Sequence, residues 1–446
     1  MSYLNEYKSK LVSPQEAAGL VSSGDWVDFG MNSNIPELFD GALALRKGAL
    51  SDVKIRGGLS LRPLQIVEQD PDQESFNYNS WHFSGIERRY YDKGQCSYMP
   101  MTYRNLPEYY RRWLDVDVAC LAVTPMNKDG YFNLSLTVSA GSAILKKAKK
   151  VILEVDENLP WAMGGFDECI HISEVDAIIE GAHSPLPELS PAPLSDADRA
   201  VASLIVPRIR DGSTIQLGIG GMPVAIGAMI AQSDIRDLGA HTEMLCDSYL
   251  DMFEAGKLTN KRKTVDPGRA VWSLCLGTDR LFRWLHENPD LCGCPVDYVN
   301  SPAVMAGHDD LVAINNCVEA DLFGQICSES SGVRQISGSG GQLDFVTGSF
   351  MSRGGQGFIC MSSTYFDKKE NRVRSRIVPT LAPGGIVTDP RSQAFYLVTE
   401  WGVQNLAGRT VWERAERIIS LAHPDFREEL IREANKMKIW RNSNKR

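Results

Sequence analysis

The chain has 446 residues, 43% of them hydrophobic and 23% charged, and its 47 Lys and Arg against 56 Asp and Glu give a net charge of −9. A chain of this length and composition can bury two or three ordinary cores, which excludes intrinsic disorder. No run of about 18 apolar residues could cross a bilayer, and the acidic balance disfavours nonspecific binding to nucleic acid. The first twenty residues resemble neither a secretory nor a transit signal, so we expect a cytoplasmic protein.

Ten cysteines without regular spacing are typical of small buried apolar side chains and not of a disulfide framework. The one close pair is Cys292 and Cys294, separated by a glycine. Because no second Cys or His pair lies near them in the sequence, a structural loop after Pro289 is favoured over a zinc site. We therefore predict no metal site.

Cationic and aromatic residues alternate between residues 88 and 113, a pattern that could stack on a polyanion and neutralise it. Because the chain is acidic overall, the lip of a cleft or a subunit contact is the favoured interpretation. We therefore expect no nucleic-acid partner. The pattern consists of Arg88-Arg89-Tyr90-Tyr91, Tyr103-Arg104 and Tyr109-Tyr110-Arg111-Arg112-Trp113.

Four prolines between residues 184 and 194 predict an extended linker that can join neither a helix nor a central strand. The linker divides the chain into a domain of residues 1–183 and a domain of residues 195–446. Directly after it, Ser195 precedes an acidic turn and is the predicted N-cap of a helix that extends to Ile209.

Short β-branched runs alternate with helical stretches on both sides of the linker, which predicts α/β domains with largely parallel sheets. Ligands usually bind such sheets at the loops that follow the strands, so the simplest arrangement places both domains around one cleft. The predicted strands are Val118–Val123, Lys150–Val155, Thr214–Leu217, 311–314 and 357–360, and the predicted helices include 140–150 and 223–232.

A glycine-rich loop follows the predicted strand Thr214–Leu217, and Pro223 suits the first position of the helix after it. The glycines allow a ligand to approach the backbone, and the N–H groups at the helix start can bind an anion or oxyanion. The loop lacks the third glycine of a dinucleotide fingerprint, so a nicotinamide site is not expected. Its residues are Gly218, Ile219, Gly220, Gly221 and Met222.

A second glycine loop lies at residues 338–345 and contains Gly341. Either loop alone is equally well explained as a plain turn. Two such loops in one domain favour a cleft that holds a phosphate or a thioester. Lys368 is a candidate cation at the edge of this cleft, although a single lysine is more often a solvated surface group.

Glu243 lies between the two loops in the sequence, among Thr242, Met244 and Leu245. A carboxylate in these surroundings would be partly desolvated and could act as a nucleophile. With an ordinary pKa of about 4.3 it would be anionic at neutral pH and would need no helper base. Taken alone, any one glutamate is more often structural, and His241 is more simply a structural histidine.

Five motifs, in order and over nearly the whole chain, resemble the acetyl-CoA hydrolase/transferase family of CoA-transferases. They are Leu217-Gly-Ile-Gly-Gly-Met-Pro223, His241-Thr-Glu-Met244, Ser337-Gly-Ser-Gly-Gly-Gln-Leu-Asp-Phe345, Val398-Thr-Glu-Trp-Gly402 and Ala422-His-Pro-Asp-Phe-Arg427. The resemblance implies an enzyme built of two tandem CoA-transferase-type open-sheet α/β domains that face one active-site cleft.

The resemblance also implies a ping-pong reaction in which Glu243 carries CoA as a glutamyl thioester. Gln216 would help to orient the acyl group, and backbone N–H groups of Gly220 and Gly221 would hold the oxyanion. Coenzyme A would be a substrate, with no cofactor and no metal, and the subunits would form a homodimer or homotetramer. The residues expected to contact CoA are Gly218, Ile219, Gly220, Gly221, Met222, Val318, Gly341 and Lys368.

Within the family, residues 243–247 and 255–260 look most like those of enzymes that transfer CoA between butyryl-CoA and acetate. Transfer to 4-hydroxybutyrate, propionate or succinate, and hydrolysis of acetyl-CoA, are the alternatives within this chemistry. A sensor that binds CoA or a nucleotide without catalysis is the alternative outside it. The retained Glu243 argues against a sensor.

Overall fold

The structure is a computed structural model and describes residues 2–189, 193–218 and 220–441. Strands and helices alternate in the first part of the chain. The strands before residue 181 are β1 (Trp26–Met31), β2 (Val53–Gly58), β3 (Phe76–Ser80), β4 (Ser97–Tyr98), β5 (Val118–Val123), β6 (Tyr131–Asn133), β7 (Lys150–Val155), β8 (Cys169–His171) and β9 (Ala177–Glu180). The helices of this part are α1 (Tyr3–Lys10), α2 (Pro14–Ala18), α3 (Leu38–Ala44), α4 (Gln65–Glu68), α5 (Gly85–Asp92), α6 (Leu106–Arg112) and α7 (Gly141–Lys147).

Seven of these strands form one parallel sheet in the order β4-β3-β2-β1-β5-β7-β9. Every residue of β5 is buried, as expected for a central parallel strand with apolar packing on both faces. The predicted strands Val118–Val123 and Lys150–Val155 are confirmed with the predicted bounds.

The second part of the chain repeats this alternation. Its strands are β10 (Thr214–Leu217), β11 (Gly239–Leu245), β12 (Ala270–Cys275), β13 (Leu291–Gly293), β14 (Leu311–Asn316), β15 (Glu319–Asp321), β16 (Ile326–Cys327), β17 (Ser330–Ser331), β18 (Arg334–Gln335), β19 (Gln356–Cys360), β20 (Thr364–Asp367), β21 (Arg372–Ser375), β22 (Ile377–Val378), β23 (Tyr396–Thr399) and β24 (Gly402–Asn405). Its helices are α8 (Asp196–Ile205), α9 (Gly221–Gln232), α10 (Asp247–Glu254), α11 (Asp279–Leu285), α12 (Val296–Val299), α13 (Pro302–Ala306), α14 (Gln342–Met351), α15 (Val411–Ser420) and α16 (Pro424–Lys436).

The second large sheet has the order β13-β12-β11-β10-β14-β19-β23-β24, and all of its pairs are parallel except β23 with β24. Two open α/β sheets therefore confirm the expected fold class. The division at residues 184–194 stays a prediction, and residues 190–192 of this segment lie outside the described part of the chain.

Two predicted helices differ from the structure at one end. Ser195 caps α8 as predicted, but the helix ends at Ile205 and a 3₁₀ turn, Val206–Arg208, follows. Pro207 cannot continue α-helical hydrogen bonding, which explains the early end. Helix α9 begins at Gly221, so Pro223 takes its third position and not its first. Proline is tolerated there because the N–H groups of a first turn have no partner within the helix.

The order of the second sheet reverses direction between β10 and β14. In an open parallel sheet, this reversal leaves a crevice beyond the carboxyl ends of the two strands, where ligands commonly bind. Strand β11, which carries Glu243, pairs directly with β10. Among the described residues, no helix combines the length and the apolar character that crossing a bilayer requires.

Candidate active site

Glu243 is half-buried on β11 and lines a cavity of about 170 Å³ at the crevice between β10 and β14. Both glycine loops contribute to the wall of this cavity. The first loop contributes Gly218, next to Gln216 and Leu217 of β10, and the second loop contributes residues 338–342, next to Ser337. The cavity therefore brings the predicted nucleophile together with both predicted loops.

Asn300 and Gly341 hold the carboxylate of Glu243. The side-chain amide of Asn300 donates a hydrogen bond of 2.6 Å to Oε2 of Glu243, and the backbone N–H of Gly341 donates to the same carboxylate. Asn300 is completely buried and directly follows α12. His241 contacts the same segment, since its Nε2 lies 2.7 Å from the carbonyl oxygen of Val299.

Burial raises the pKa of Glu243 to about 7, and the hydrogen bonds from Asn300 and Gly341 oppose this rise. Desolvation disfavours the charged form of a carboxyl group, which is the cause of the rise. The ordinary pKa of about 4.3 that we expected from the sequence is therefore wrong for Glu243. Near pH 7 the free protein holds Glu243 as a mixture of neutral and anionic forms.

Gly341 has no room for a side chain. A Cβ atom at this position would collide with Oε2 of Glu243 and with Nδ2 of Asn300. The φ angle of Gly341 is −102°, which any residue can adopt, so close approach and not backbone conformation is what requires glycine here.

The second glycine loop is fastened to the first part of the chain. The Ser339 hydroxyl donates to the carbonyl oxygen of Met101 at 2.6 Å, and Arg104 forms an ion pair of 3.2 Å with Asp344. His82 also lines the cavity, and burial lowers its pKa to about 4, so its imidazole is neutral at pH 7. The two α/β parts of the chain therefore meet at Glu243, as the predicted shared cleft requires.

A cluster of buried apolar side chains lies beside the carboxylate. Met244, which lines the cavity, packs in the same core as Met31, Trp81 and Met101. Tyr103 belongs to this core, and its pKa is raised first by burial and then by the negative charge of Glu243. The apolar cluster and the carboxylate are thus close neighbours.

Gln216 lies in the cavity wall, but its amide is paired with Asn315. The two side chains exchange hydrogen bonds of 3.2 Å and 3.0 Å across neighbouring strands. The N–H of Gly218 donates to the carbonyl oxygen of Ile314 at 2.9 Å, as part of the same strand pairing. A role for Gln216 in orienting an acyl group stays a prediction.

Among the described residues, several predicted contacts to CoA lie outside the wall of this cavity. Gly220 has a φ of +119° and precedes α9, which begins at Gly221, and the Met222 side chain is buried in the core. Val318 is half-buried after β14, and Lys368 is exposed in the turn between β20 and β21. Ile219 lies outside the described residues. Their contacts with CoA stay predictions.

The cationic and aromatic segment forms α5, α6 and the chain between them, and its Tyr90, Tyr103 and Tyr110 are buried. Arg88 donates to the carbonyl oxygen of Ile336, next to the second glycine loop, at 2.8 Å. Arg89 pairs with Glu68, and Arg111 pairs with Asp297. Carboxylates and carbonyl groups of the protein itself therefore satisfy these cations.

The cysteines are all free, and seven of the ten are buried, which confirms the expectation of small buried side chains. Cys292 lies in the edge strand β13, with Cys294 directly after it, and not in the loop that the sequence favoured. Among the described residues, no group of three His, Cys, Asp or Glu side chains could hold a metal ion.

Sequence reasoning missed Asn300 and His82. Both are distant from Glu243 in the sequence, and neither belongs to a recognisable motif. Asn300 reaches the site from the end of α12, which comes directly after the edge strand β13. His82 reaches it because it lies two residues after the end of β3. Only the packing of the two sheets brings these residues together.

Two family models match the chain. The acetyl-CoA hydrolase/transferase N-terminal domain matches residues 1–189, and the C-terminal domain of the same family matches residues 277–434. Glu243 lies between the two matched regions, within the part of the chain that the full-length relatives cover.

Two curated relatives match almost the whole chain. Butyryl-CoA:acetate CoA-transferase of Anaerostipes caccae is 48% identical over 447 residues, with 100% of both chains covered. A protein of Syntrophomonas wolfei, described as a probable butyrate:acetyl-CoA coenzyme A-transferase, is 48% identical over 443 residues, covering 99% of this chain and 98% of the relative.

Among solved structures, the crystal structure of RipA from Yersinia pestis superposes with a TM-score of 0.89 at 34% sequence identity. The match covers 98% of this chain and 100% of the RipA chain. The matched domains and the full-length similarity to these relatives show that the chain belongs to the acetyl-CoA hydrolase/transferase family.

Proposed function

We propose that the protein is a butyryl-CoA:acetate CoA-transferase that carries CoA on Glu243. The observation that carries this proposal is the position of Glu243, half-buried between two glycine loops at the crevice of the second sheet. The names of the two curated relatives, each 48% identical over nearly the full length, support the choice of substrates.

In the first half of the proposed cycle, the anionic carboxylate of Glu243 attacks the thioester carbonyl of butyryl-CoA. The carbon–sulfur bond breaks, and an anhydride and the CoA thiolate result. The thiolate then attacks the glutamyl carbonyl of the anhydride, and butyrate leaves as the carbon–oxygen bond breaks. A carboxylate needs no general base for this chemistry.

In the second half, acetate attacks the glutamyl-CoA thioester and releases the thiolate. The thiolate attacks the acetyl carbonyl of the new anhydride, which yields acetyl-CoA and restores Glu243. The cycle includes no oxidation or reduction and needs no proton donor, because carboxylates and a thiolate exchange places. Coenzyme A is thus a substrate, and the proposal requires no cofactor or metal.

Asn300 and Gly341 are placed to assist both halves. Their N–H groups hydrogen-bond the carboxylate of Glu243 and would remain beside its oxygen when the thiolate attacks the glutamyl carbonyl. Donors fixed near a developing oxyanion stabilise it, each by about 3 kcal/mol in comparable sites. The backbone N–H groups of Gly220 and Gly221 are proposed to serve the oxyanion on the acyl carbonyl.

The CoA contacts predicted from the family pattern remain part of the proposal. Gly218 and Gly341 lie in the cavity wall next to Glu243, which supports their placement beside the thioester. The proposed contacts farther from Glu243 are Ile219, Gly220, Gly221, Met222, Val318 and Lys368. Binding energy from this remote part of CoA can be used to raise the reactivity of the enzyme thioester.

The apolar cluster beside Glu243 supports a short apolar acyl group. Met31, Trp81 and Met101 belong to the same buried cluster as Met244, which lines the cavity. Burial of each methylene of an acyl chain against such a surface contributes about 0.8 kcal/mol. A four-carbon chain without a charged end fits this chemistry better than succinate does.

The proposal includes a homodimer or homotetramer in the cytoplasm, as expected from the sequence. Light scattering coupled to size-exclusion chromatography measures the number of subunits, and localisation of a tagged chain tests the compartment. Neither outcome alters the assignment of Glu243.

A transfer assay tests the proposed function. We expect acetyl-CoA to form from butyryl-CoA only when acetate is present, and free CoA release without acetate to be slow. A panel of propionate, succinate and 4-hydroxybutyrate as acceptors ranks the competing transferases. Full-rate release of CoA in the absence of any acid would contradict transfer and indicate a hydrolase.

A further inference from the structure

Cys292 and Cys294 form a close thiol pair at the edge of the second sheet. Successive side chains of a strand point to opposite faces, so residues two apart share a face. The two sulfur atoms lie 3.7 Å apart. A disulfide bond requires about 2.05 Å, so an approach of roughly 1.7 Å would join them.

The charges around the pair favour a thiolate on Cys292. The guanidinium of Arg269 lies 3.9 Å from its sulfur, and the buried Lys263 ammonium, the Asp266 carboxylate and the Tyr298 hydroxyl are the other titratable neighbours. The hydrogen bond from Cys294, followed by the one from Arg269, lowers the pKa of Cys292, whereas the pKa of Cys294 is raised. Cys292 is thus the nucleophile of the pair, since a thiolate is the reactive form.

A loop from the first part of the chain covers the pair. A Cβ atom on Gly165 would lie 2.9 Å from the sulfur of Cys294 and 3.2 Å from that of Cys292. The loop is fixed to β13, since the N–H of Gly165 donates to the carbonyl oxygen of Gly293 at 3.1 Å. Only 5% of the Cys292 surface and 2% of the Cys294 surface is exposed, so the native fold shields the pair from bulky reagents.

The pair is connected to the catalytic carboxylate by a short stretch of chain. Cys294 begins the segment that passes through α12 and ends at Asn300, whose amide holds Glu243. The two cysteines also pack in one buried apolar cluster with Val299 and Phe345, and Phe345 lines the cavity. A displacement of Cys294 can therefore be transmitted to Asn300 through these packed side chains and through α12.

We propose that Cys292 and Cys294 are a redox modification site that closes to a disulfide with a peroxide and thereby weakens the hold of Asn300 on Glu243. The thiolate of Cys292 attacks one oxygen of hydrogen peroxide, which forms a sulfenic acid and releases hydroxide. The sulfur of Cys294 then attacks the sulfenic sulfur, water leaves, and the disulfide forms. In sum, one dithiol and one peroxide yield one disulfide and two waters.

The test begins with mass spectrometry, which needs no assumption about enzymatic activity. The purified chain is treated with hydrogen peroxide, unfolded in denaturant so that every free thiol can react, alkylated, and digested with chymotrypsin. Cleavage after Tyr298 separates the pair from Cys317 and Cys327. We expect the peptide with both cysteines to be two hydrogens lighter than its reduced form and unalkylated, and dithiothreitol to reverse the change. Alkylation of both cysteines after peroxide treatment would overturn the proposal.

Cys294→Ser separates the two roles within the pair, and Cys294→Ala provides a second variant if serine disturbs folding. With either variant, we expect Cys292 to be trapped as a sulfenic acid, which dimedone labels when the chain is unfolded in its presence. Arg269→Met should slow oxidation of the pair at least threefold, because the cation beside the thiolate is lost. An unchanged rate would overturn the role given to Arg269.

The effect on the site is measured in two ways. Oxidation should reduce CoA transfer at least tenfold in the unsubstituted chain and leave the Cys294→Ser variant unaffected. Hydrogen exchange of amides 296–300 should also accelerate on oxidation, and this readout holds even if the proposed transferase activity is wrong. A disulfide that changes neither activity nor exchange would overturn the link to Glu243, as would equal inactivation of Cys294→Ser.

Discussion

Asn300 donates its side-chain amide to Oε2 of Glu243 over 2.6 Å, and it does so from a position 57 residues further along the chain. Asn300 is itself completely buried, and its Oδ1 atom has no hydrogen-bond partner in the described part of the chain. Among the described residues, the side chain of Asn300 therefore makes its hydrogen bond to Glu243. A buried residue of this kind is placed to position a carboxylate.

Asn300→Ala should reduce kcat/KM for butyryl-CoA by about tenfold to a hundredfold, because a hydrogen bond to a charged group contributes about 1.5–3 kcal/mol. The pKa of Glu243 should also rise, because the amide of Asn300 stabilises the ionised carboxylate and the variant lacks this donor. Steady-state kinetics as a function of pH measure both effects. Asn435→Ala, an exposed change on α16, is the control and should leave both unchanged. Equal kinetics for Asn300→Ala and the unsubstituted chain would exclude the positioning role.

The rate should depend on the ionisation of Glu243. Burial raises the pKa of this carboxyl group to about 7, and only the anion can attack a thioester. We therefore expect kcat/KM to increase as the pH rises through about 7 and to level off above pH 8. A profile that is flat from pH 5.5 to 8 would show an ordinary pKa and contradict the burial argument. Asp344, with a pKa raised to about 7 by burial, titrates nearby and should broaden the transition.

Gly341→Ala should abolish most of the activity, because its Cβ atom would displace the carboxylate of Glu243 or the amide of Asn300. Gly41→Ala in α3 is a matched control, since a Cβ atom there meets nothing within 4 Å. The control should retain full activity and unfold at a slightly higher temperature, in line with the helix preference of alanine. Activity measured alongside thermal unfolding distinguishes a displaced carboxylate from a chain that does not fold. Normal activity of Gly341→Ala would contradict the close contact.

The ion pair of Arg104 with Asp344 should stabilise the junction between the two parts of the chain mainly at high pH. Burial raises the pKa of Asp344 to about 7. Its carboxyl group attracts the guanidinium of Arg104 strongly only when it is ionised, which is the case above this pH. A double-mutant cycle with Arg104→Met and Asp344→Asn should give a coupling free energy of unfolding of about 1–3 kcal/mol at pH 8 and less at pH 5.5. A coupling free energy that is equal at the two pH values would mean that Asp344 is ionised throughout and would contradict the raised pKa.

Much of the fold could be predicted from the sequence because its signals are local. The apolar runs of β5 and β7 and the Ser195 cap predict elements that the structure has. Element ends were less predictable, since α8 ends at Ile205, before Pro207, and α9 includes two residues before Pro223. Local signals identify an element better than they identify its ends.

The site was predictable in part for the same reason. Glu243 and the two glycine loops belong to motifs, and the sheet order places them around one cavity. The raised pKa of Glu243 and its contact with Asn300 depend on burial and on packing between distant segments. No local pattern in the sequence contains that information.

Mass spectrometry of the protein incubated with butyryl-CoA alone tests the central claim most directly. We predict a CoA adduct on the peptide that contains Glu243, removal of this adduct by acetate, and no adduct with Glu243→Gln, which keeps the shape of the side chain. An adduct on another residue, or transfer that continues in Glu243→Gln, would contradict the assignment of Glu243 as the group that carries CoA.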